Sequence, residues 1–184
     1  MQPRLHLIDA DPAVATALRT AFQQFSEVVV SRGDLLAAAH TAIVSPANSF
    51  GFMDGGIDAA FRRFFGLSVE ERVQSAINVR PEGHLPVGAS LIIDTGNARV
   101  PFLIVAPTML SPEAVDSMNC YRAMRALLRI AGHDERIWPG LFCPGLGTGV
   151  GRVSPEDAAR EMAKAYGDWK ATAYPAHDVN RAGG

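Results

Sequence analysis

An apolar run that stops at a glycine-rich loop is the feature that most constrains the fold of this chain. Residues 41–44 are Thr-Ala-Ile-Val, and the loop that follows carries Asn48, Asp54, Asp58 and glycines at 51, 55 and 56. Residues 59–61, Ala-Ala-Phe, indicate the start of a helix. A strand, a glycine loop and a helix in this order present free backbone N–H groups and the positive end of the helix to a ligand. The stretch therefore predicts a site for a phosphate or a sugar.

A second glycine loop lies late in the chain, at residues 144–151, Pro-Gly-Leu-Gly-Thr-Gly-Val-Gly. It is not a Walker loop, because no Gly-Lys-Ser or Gly-Lys-Thr follows. It is not a dinucleotide fingerprint either, since Gly147-x-Gly149 would require glycine where Arg152 stands. We favour a diphosphate cradle, with backbone N–H groups of residues 147–151 on one side and of 55–57 on the other. The alternative is a structural turn that needs the conformational freedom of glycine.

Strands and helices are predicted to alternate along the chain. Strands are expected at 5–8, 27–30, 42–45, 89–95, 100–106 and 137–143, the last with a bulge at Pro139-Gly140. Helices are expected from the Asp11-Pro12 start, at 57–65, at 69–78, within 112–131 and from Ser154-Pro155, with a loop or short helix at 34–39. The turn at Gly96-Asn97 makes one strand pair antiparallel. We therefore predict an α/β fold, a three-layer α/β/α sandwich with a mixed central sheet. Both glycine loops would lie at the carboxyl ends of strands, where such sheets bind ligands.

Length and composition limit the alternatives. A chain of 184 residues fits one domain, placed at 1–170, with a flexible tail at 171–184. The formal net charge of −2 offers no electrostatic case for binding nucleic acid or an anionic membrane. No apolar run approaches the ~20 residues of a membrane helix, so a cytoplasmic protein with two free thiols is expected. Cys143 lies beside the second loop, where packing is a better explanation than catalysis. No Cys/His cluster has metal spacing, and neither metal nor cofactor is expected.

Three elements in order resemble the macro domain, a family that binds ADP-ribose and in many members hydrolyses its derivatives. Residues 33–35, Gly-Asp-Leu, match its first element, and residues 144–151 match its second phosphate loop. Between them lie Ser45-Pro46-Ala47-Asn48 and Gly55-Gly56-Ile57-Asp58, with Ser45 in place of the family's leading Asn. The resemblance covers roughly residues 30–165 and implies a macro-like fold.

The resemblance also implies roles for individual residues. Asp34 would accept a hydrogen bond from the adenine amino group, and Asn48 would bind the distal ribose hydroxyls. Asp58 would either orient or deprotonate a water that attacks the anomeric carbon, or hold the distal ribose. The alternatives from the residues themselves are a helix N-cap for Asp34, a left-handed turn residue for Asn48 and a first-turn carboxylate that favours the helix dipole for Asp58. The predicted catalytic residues are Asp58 and Asn48. The predicted ligand contacts are Asp34, Leu35, Ala47, Asn48, Phe52, Gly55, Gly56, Ile57, Gly147, Thr148, Gly149, Val150 and Gly151.

The resemblance therefore implies hydrolysis at the distal ribose. The reaction would be removal of ADP-ribose from an acidic protein side chain or dephosphorylation of ADP-ribose 1″-phosphate, and the partner is ADP-ribose or an ADP-ribosylated protein. One alternative is a non-catalytic ADP-ribose-binding module. Another is a hydrolase acting on ADP-ribosylated nucleic acid, for which Arg62, Arg63 and Arg152 near the loops are the support. For Arg62 and Arg63, a solvated helix face is the simpler interpretation.

Overall fold

The computed structural model describes residues 3–173 as a six-stranded sheet flanked by helices. The strands are β1 (Leu5–Asp9), β2 (Val29–Arg32), β3 (Ala42–Ser45), β4 (Leu91–Asp94), β5 (Phe102–Val105) and β6 (Leu141–Cys143). The helices are α1 (Pro12–Ala21), α2 (Leu35–Ala38), α3 (Gly56–Phe65), α4 (Ser68–Asn78), α5 (Met118–Gly132) and α6 (Pro155–Ala173), with a short 3₁₀ turn at Glu135–Ile137.

The strand order explains where the two glycine loops meet. The sheet runs β2-β1-β6-β3-β5-β4, and every neighbouring pair is parallel except β4 with β5. The predicted mixed sheet is therefore confirmed, with its antiparallel pair at the turn that holds Gly96 and Asn97. The first glycine loop follows β3 and the second follows β6. Because β3 and β6 are parallel neighbours, both loops emerge at the same edge of the sheet.

Two apolar layers cover the sheet, one on each face. The larger layer holds α1, α5 and α6 against the sheet and includes Leu7, Leu127 and Tyr166, all buried. The smaller holds α3 and α4 and is centred on Phe61 and Ile77. These layers confirm the α/β/α sandwich.

Several predicted boundaries are corrected. Residue 137 belongs to the 3₁₀ turn rather than a strand, because Asp134 caps that turn by accepting from Arg136 N and because Gly140 N bonds to Ile137 O. The last strand therefore begins only at Leu141, with no bulge before it. The second strand lies two residues later than predicted, at 29–32, whereas α5 agrees with the helix predicted within 112–131. Residues 171–173 of the predicted tail continue α6, and 174–184 lie outside the described residues.

Candidate functional site

A cavity of about 590 Å³ lies at the carboxyl ends of β3, β6 and β1. Its volume is within the range of small-molecule sites. The first glycine loop contributes Asn48, Phe52 and residues 54–58 to the wall, and the second contributes 144–145 and 147–151. The β1–α1 connection contributes Asp9, Asp11 and Val14. The structure thus brings both predicted loops together around one space.

The first loop is shaped by its own side chains. Asn48 is buried, its Oδ1 accepts from Phe50 N and Phe52 N, and its Nδ2 donates to Phe52 O at 2.8 Å. Met53 is buried beneath the loop, and its N–H donates to Glu70 Oε1 on α4. Asn48 therefore holds the loop and lines the cavity at the same time, with one amide hydrogen left for a ligand.

Backbone N–H groups without acceptors are concentrated in these loops. Within residues 3–173, the N–H groups of residues 147–151 have no hydrogen-bond acceptor, and neither do those of 55–58. At 55–58 the reason is the start of α3, whose N-cap is Gly55 and therefore provides no side-chain acceptor. At 147–151 the turn is tight: Gly147 has φ +73°, and a Cβ on Gly151 would lie 2.6 Å from Gly147 O. Two rows of free donors on one cavity form a site suited to an anion with several oxygens.

Asp58 is the buried acid of the site. It lies in the first turn of α3, is 6% exposed and borders the cavity. Burial raises its pKa to about 7, against the opposing effect of a hydrogen bond from Ser45. Ser45 Oγ donates to Asp58 Oδ1 at 2.6 Å, whereas Asp58 Oδ2 has no hydrogen bond within residues 3–173. A carboxyl with this pKa can exchange a proton near neutral pH.

Strand β1 and its connection to α1 contribute two carboxyls that were not among the predicted site residues. Asp9 Oδ2 accepts from Gly145 N at 3.0 Å, and Asp9 Oδ1 accepts from Asp11 N, so Asp9 joins the start of α1 to the second loop. Asp11 caps α1 through Oδ1, and its Oδ2 has no partner in the described part of the chain. Only the adjacency of β1 and β6 brings these carboxyls to the cavity, and no local pattern reveals it. Asp11-Pro12 was interpreted as a helix start, which is confirmed.

Three predicted contacts are not on the cavity wall. Asp34 caps α2 by accepting from Leu36 N and Ala37 N, while Leu35 and Ala47 are buried in the smaller apolar layer. Their ligand roles stay predictions. The others, namely Asn48, Phe52, Gly55, Gly56, Ile57, Asp58, Gly147, Thr148, Gly149, Val150 and Gly151, all border the cavity.

Arg62 and the two cysteines have structural partners. Arg62 Nε lies 2.8 Å from Glu70 Oε2, so this ion pair supports the first loop from below. Cys120 and Cys143 are free and buried, and burial raises the pKa of both thiols, that of Cys120 to about 12. Neither thiol is suited to act as a nucleophile. Across residues 3–173 no group of three or more His, Cys, Asp or Glu side chains is arranged to hold a metal ion. No helix in this part of the chain has the length and apolarity needed to cross a bilayer.

Comparison with known proteins decides the family. The family model of the Macro domain matches residues 44–162, which include both glycine loops. The chain belongs to the macro-domain family. The resemblance inferred from the glycine loops is thereby confirmed.

Three proteins of other organisms are similar to this chain in sequence. An uncharacterised protein of Aeropyrum pernix is 36% identical over 139 residues, which is 75% of this chain and 69% of the relative. An uncharacterised protein of Aquifex aeolicus is 35% identical over 74% of this chain and 78% of its own. The O-acetyl-ADP-ribose deacetylase of Escherichia fergusonii is 30% identical over 75% of this chain and 76% of its own.

Solved macro-domain structures share the fold at lower identity. The macrodomain of Mycobacterium tuberculosis DarG has a TM-score of 0.64 and 24% identity, covering 75% of this chain and 88% of its own. A mutant macrodomain of Oceanobacillus iheyensis with ADPR has a TM-score of 0.61 and 19% identity, covering 73% of each chain. At these identities the likeness establishes the three-layer fold.

Proposed function

We propose that this macro domain binds ADP-ribose or a derivative of it and hydrolyses the derivative at the distal ribose. The substrate carries a group on the anomeric carbon, as in an ADP-ribosylated acidic side chain or ADP-ribose 1″-phosphate. The observation that carries the proposal is a buried carboxyl, Asp58, on the wall of a cavity between two rows of free backbone N–H groups.

The free N–H groups support a diphosphate between the loops. Residues 147–151 follow β6, the strand between β1 and β3, so their donors lie over the middle of the cavity. A diphosphate is an anion with several oxygens, and it matches a double row of donors better than a single phosphate does. The start of α3 adds the positive end of a helix dipole on the same side as Asp58.

Asp58 then faces the sugar beyond the diphosphate. Its Oδ2 accepts a proton from a water whose oxygen forms a bond to the anomeric carbon. The bond from that carbon to the leaving carboxylate or phosphate breaks, and the leaving group departs with the electron pair. A pKa of about 7 suits this role, because the carboxyl is both ionised in part and basic enough near neutral pH. Asn48 holds the loop that borders this end and can donate its remaining amide hydrogen to a ribose hydroxyl.

A non-catalytic module is the second candidate, because most of the hydrogen-bonding capacity of Asn48 is used within its own loop. Such a module needs the donor rows and has no need of Asp58. The two candidates therefore differ in what the Asp58→Ala variant does to turnover.

The first experiment is a calorimetric titration with ADP-ribose, with AMP as the control ligand. We expect a Kd on the order of micromolar for ADP-ribose and much weaker binding of AMP, which lacks the diphosphate and the distal ribose. If ADP-ribose does not bind, the proposed function is refuted.

The second experiment measures turnover of two derivatives with a group on the anomeric carbon: a peptide ADP-ribosylated on an acidic side chain and ADP-ribose 1″-phosphate. We expect Asp58→Ala to lower kcat by about a hundredfold or more, since a general base contributes on this order, while ADP-ribose still binds. Unchanged turnover in Asp58→Ala would remove Asp58 from the mechanism. Binding by the wild type without turnover of any derivative would favour the module.

A further inference from the structure

Ser45 stands directly behind Asp58 and has no contact with the cavity itself. It is the last residue of β3, is 1% exposed and is absent from the cavity wall. Its hydroxyl has one proton to donate, and that proton is directed at Asp58 Oδ1 over 2.6 Å. The other carboxylate oxygen, Oδ2, is left without a partner among residues 3–173. The two oxygens of Asp58 therefore have different environments.

We propose that Ser45 is the positioning residue of this site, fixing one oxygen of Asp58 so that the ionised carboxylate presents the other oxygen to the cavity. The catalytic consequence rests on the proposed function, whereas the effect on Asp58 itself does not. Ser45 acts through Asp58 and does not touch the substrate.

The surroundings of Asp58 explain why a single hydroxyl has this influence. Among residues 3–173, the side chains on the cavity wall include the carboxyls of Asp9, Asp11 and Asp54 and no cationic group. From α4, Glu70 is paired with Arg62 and with Met53 N. Ser45 is the one side chain in residues 3–173 that donates a hydrogen bond to Asp58. Hydrogen bonds to charged groups are stronger than neutral ones, and in a buried site they favour ionisation.

The test measures the ionisation of Asp58 without requiring turnover. In protein labelled with ¹³C at the aspartate carboxyls, the Asp58 signal is identified by its loss in Asp58→Asn and followed as a function of pH. We expect Ser45→Ala to raise the titration midpoint of Asp58 by about one pH unit or more, the equivalent of one lost charged hydrogen bond. Ser49→Ala is the matched control: Ser49 is a buried serine of the same loop whose hydroxyl donates to Met109 O instead of Asp58.

A shape-matched pair covers the case in which Ser45→Ala fails to fold. Thr and Val have the same shape at this position, and only Thr retains the hydroxyl. The proposal requires the midpoint of Ser45→Val to lie above that of Ser45→Thr. Equal midpoints in this pair, or an unchanged midpoint in folded Ser45→Ala, would overturn it.

Kinetics then separates this inference from the proposed function. With a derivative that the wild type hydrolyses, the pH at which kcat falls on the acid side should be higher in Ser45→Ala, by the same amount as the titration midpoint of Asp58. KM should change little. If Ser45→Ala raises the midpoint of Asp58 but the wild type turns over no derivative, the proposed hydrolase function is refuted and the influence of Ser45 on Asp58 is supported. If Ser45→Ala raises the midpoint of Asp58 but leaves the acid side of the kcat profile unchanged, Ser45 is not a positioning residue for catalysis.

Discussion

Asp58 binds its proton more tightly in the folded protein than in the unfolded chain, because burial raises its pKa from 3.8 to about 7. Between these values the folded state carries a proton that the unfolded state has lost. The free energy of unfolding should therefore fall as the pH rises through this interval, by at most about 4 kcal/mol. Asp58→Asn, which has no proton to lose, should lack this fall. Urea unfolding of both proteins at pH values from about 4 to about 8 measures the difference.

A neighbouring carboxyl provides the control for this pH dependence. Asp54 lies in the same loop and is exposed. Asp54→Asn should retain the fall in stability, because Asp58 is still present. If Asp58→Asn and the wild type lose stability in parallel across this range, the carboxyl is not desolvated as the structure indicates.

Asp34 and Asp11 are alternative candidates for the acceptor of the adenine amino group. The family resemblance assigns the adenine amino group to Asp34. Asp11, however, is the one on the cavity wall, and its Oδ2 has no hydrogen bond to any described residue. Adjacent strands are about 4.8 Å apart, so the end of β1 lies roughly 10 Å from the end of β3. If the diphosphate lies over β6 and the distal ribose lies at Asp58, the adenosine extends toward the end of β1 and lies near Asp11. We expect Asp11→Asn to weaken ADP-ribose binding about fivefold to tenfold, and Asp34→Asn to change it much less.

Both variants are expected to fold, because Asn caps helices as well as Asp does and each residue is an N-cap. Calorimetry with ADP-ribose and with its inosine and 2′-deoxy analogues shows which donor is involved. If the amino group is the donor, Asp11→Asn should reduce the preference for ADP-ribose over the inosine analogue. A large loss in Asp34→Asn and none in Asp11→Asn would restore the assignment made from the sequence.

The first glycine loop depends on close packing against α4. Gly51 has φ +74°, and a Cβ there would lie 2.7 Å from Val73 Cγ1 and 2.8 Å from Ile77 Cδ1. Both side chains are buried in the smaller apolar layer. Gly51→Ala combines an unfavourable left-handed conformation with overpacking, so we expect a loss of about 2–4 kcal/mol in the free energy of unfolding. Denaturant unfolding measures this value directly.

Gly55→Ala is the comparison within the same loop. Gly55 has φ −135°, and nothing lies within 4 Å of a Cβ placed on it. Ala is a less favourable N-cap than Gly but meets no clash here, so the loss of stability should stay at about 1 kcal/mol. Equal losses in the two variants would mean that the loop does not pack on α4 as described.

The elements that the sequence predicted correctly are those marked by local chemistry. Asp11 and Ser154 each sit before a proline, and both form the expected helix caps. The prediction of a strand at residues 137–140 was wrong, because Asp134 caps a 3₁₀ turn that includes Ile137. The partnership of Ser45 with Asp58 was missed for a different reason: it joins residues 13 apart on two elements. A replacement of the family's leading Asn by Ser was visible, but its partner depends on how β3 and α3 pack.

At the scale of the whole molecule, the residues that match the family model are fewer than the residues that form the folded unit. The match begins at residue 44 and ends at 162, so it omits β1, α1, β2, α2, the first two residues of β3 and the last part of α6. Yet β1 pairs with both β2 and β6 inside the sheet, and Leu5 and Leu7 on it are buried. Asp9 at its end also holds the second glycine loop through Gly145 N. The first part of the chain is therefore integral to both core and site.

A fragment of residues 44–162 should accordingly fail to fold. Without β1, one side of β6 lacks its hydrogen-bonding partner. The fragment also lacks the part of α6 that includes Tyr166 and Trp169, both in the larger apolar layer. We expect this fragment to show no cooperative unfolding by circular dichroism and no dispersed amide spectrum, whereas residues 3–173 should show both. Cooperative unfolding of the short fragment, with ADP-ribose raising its Tm, would show that β1 is dispensable. The positions of Asp9 and Asp11 on the cavity wall would then have no bearing on binding, because the site would form without them.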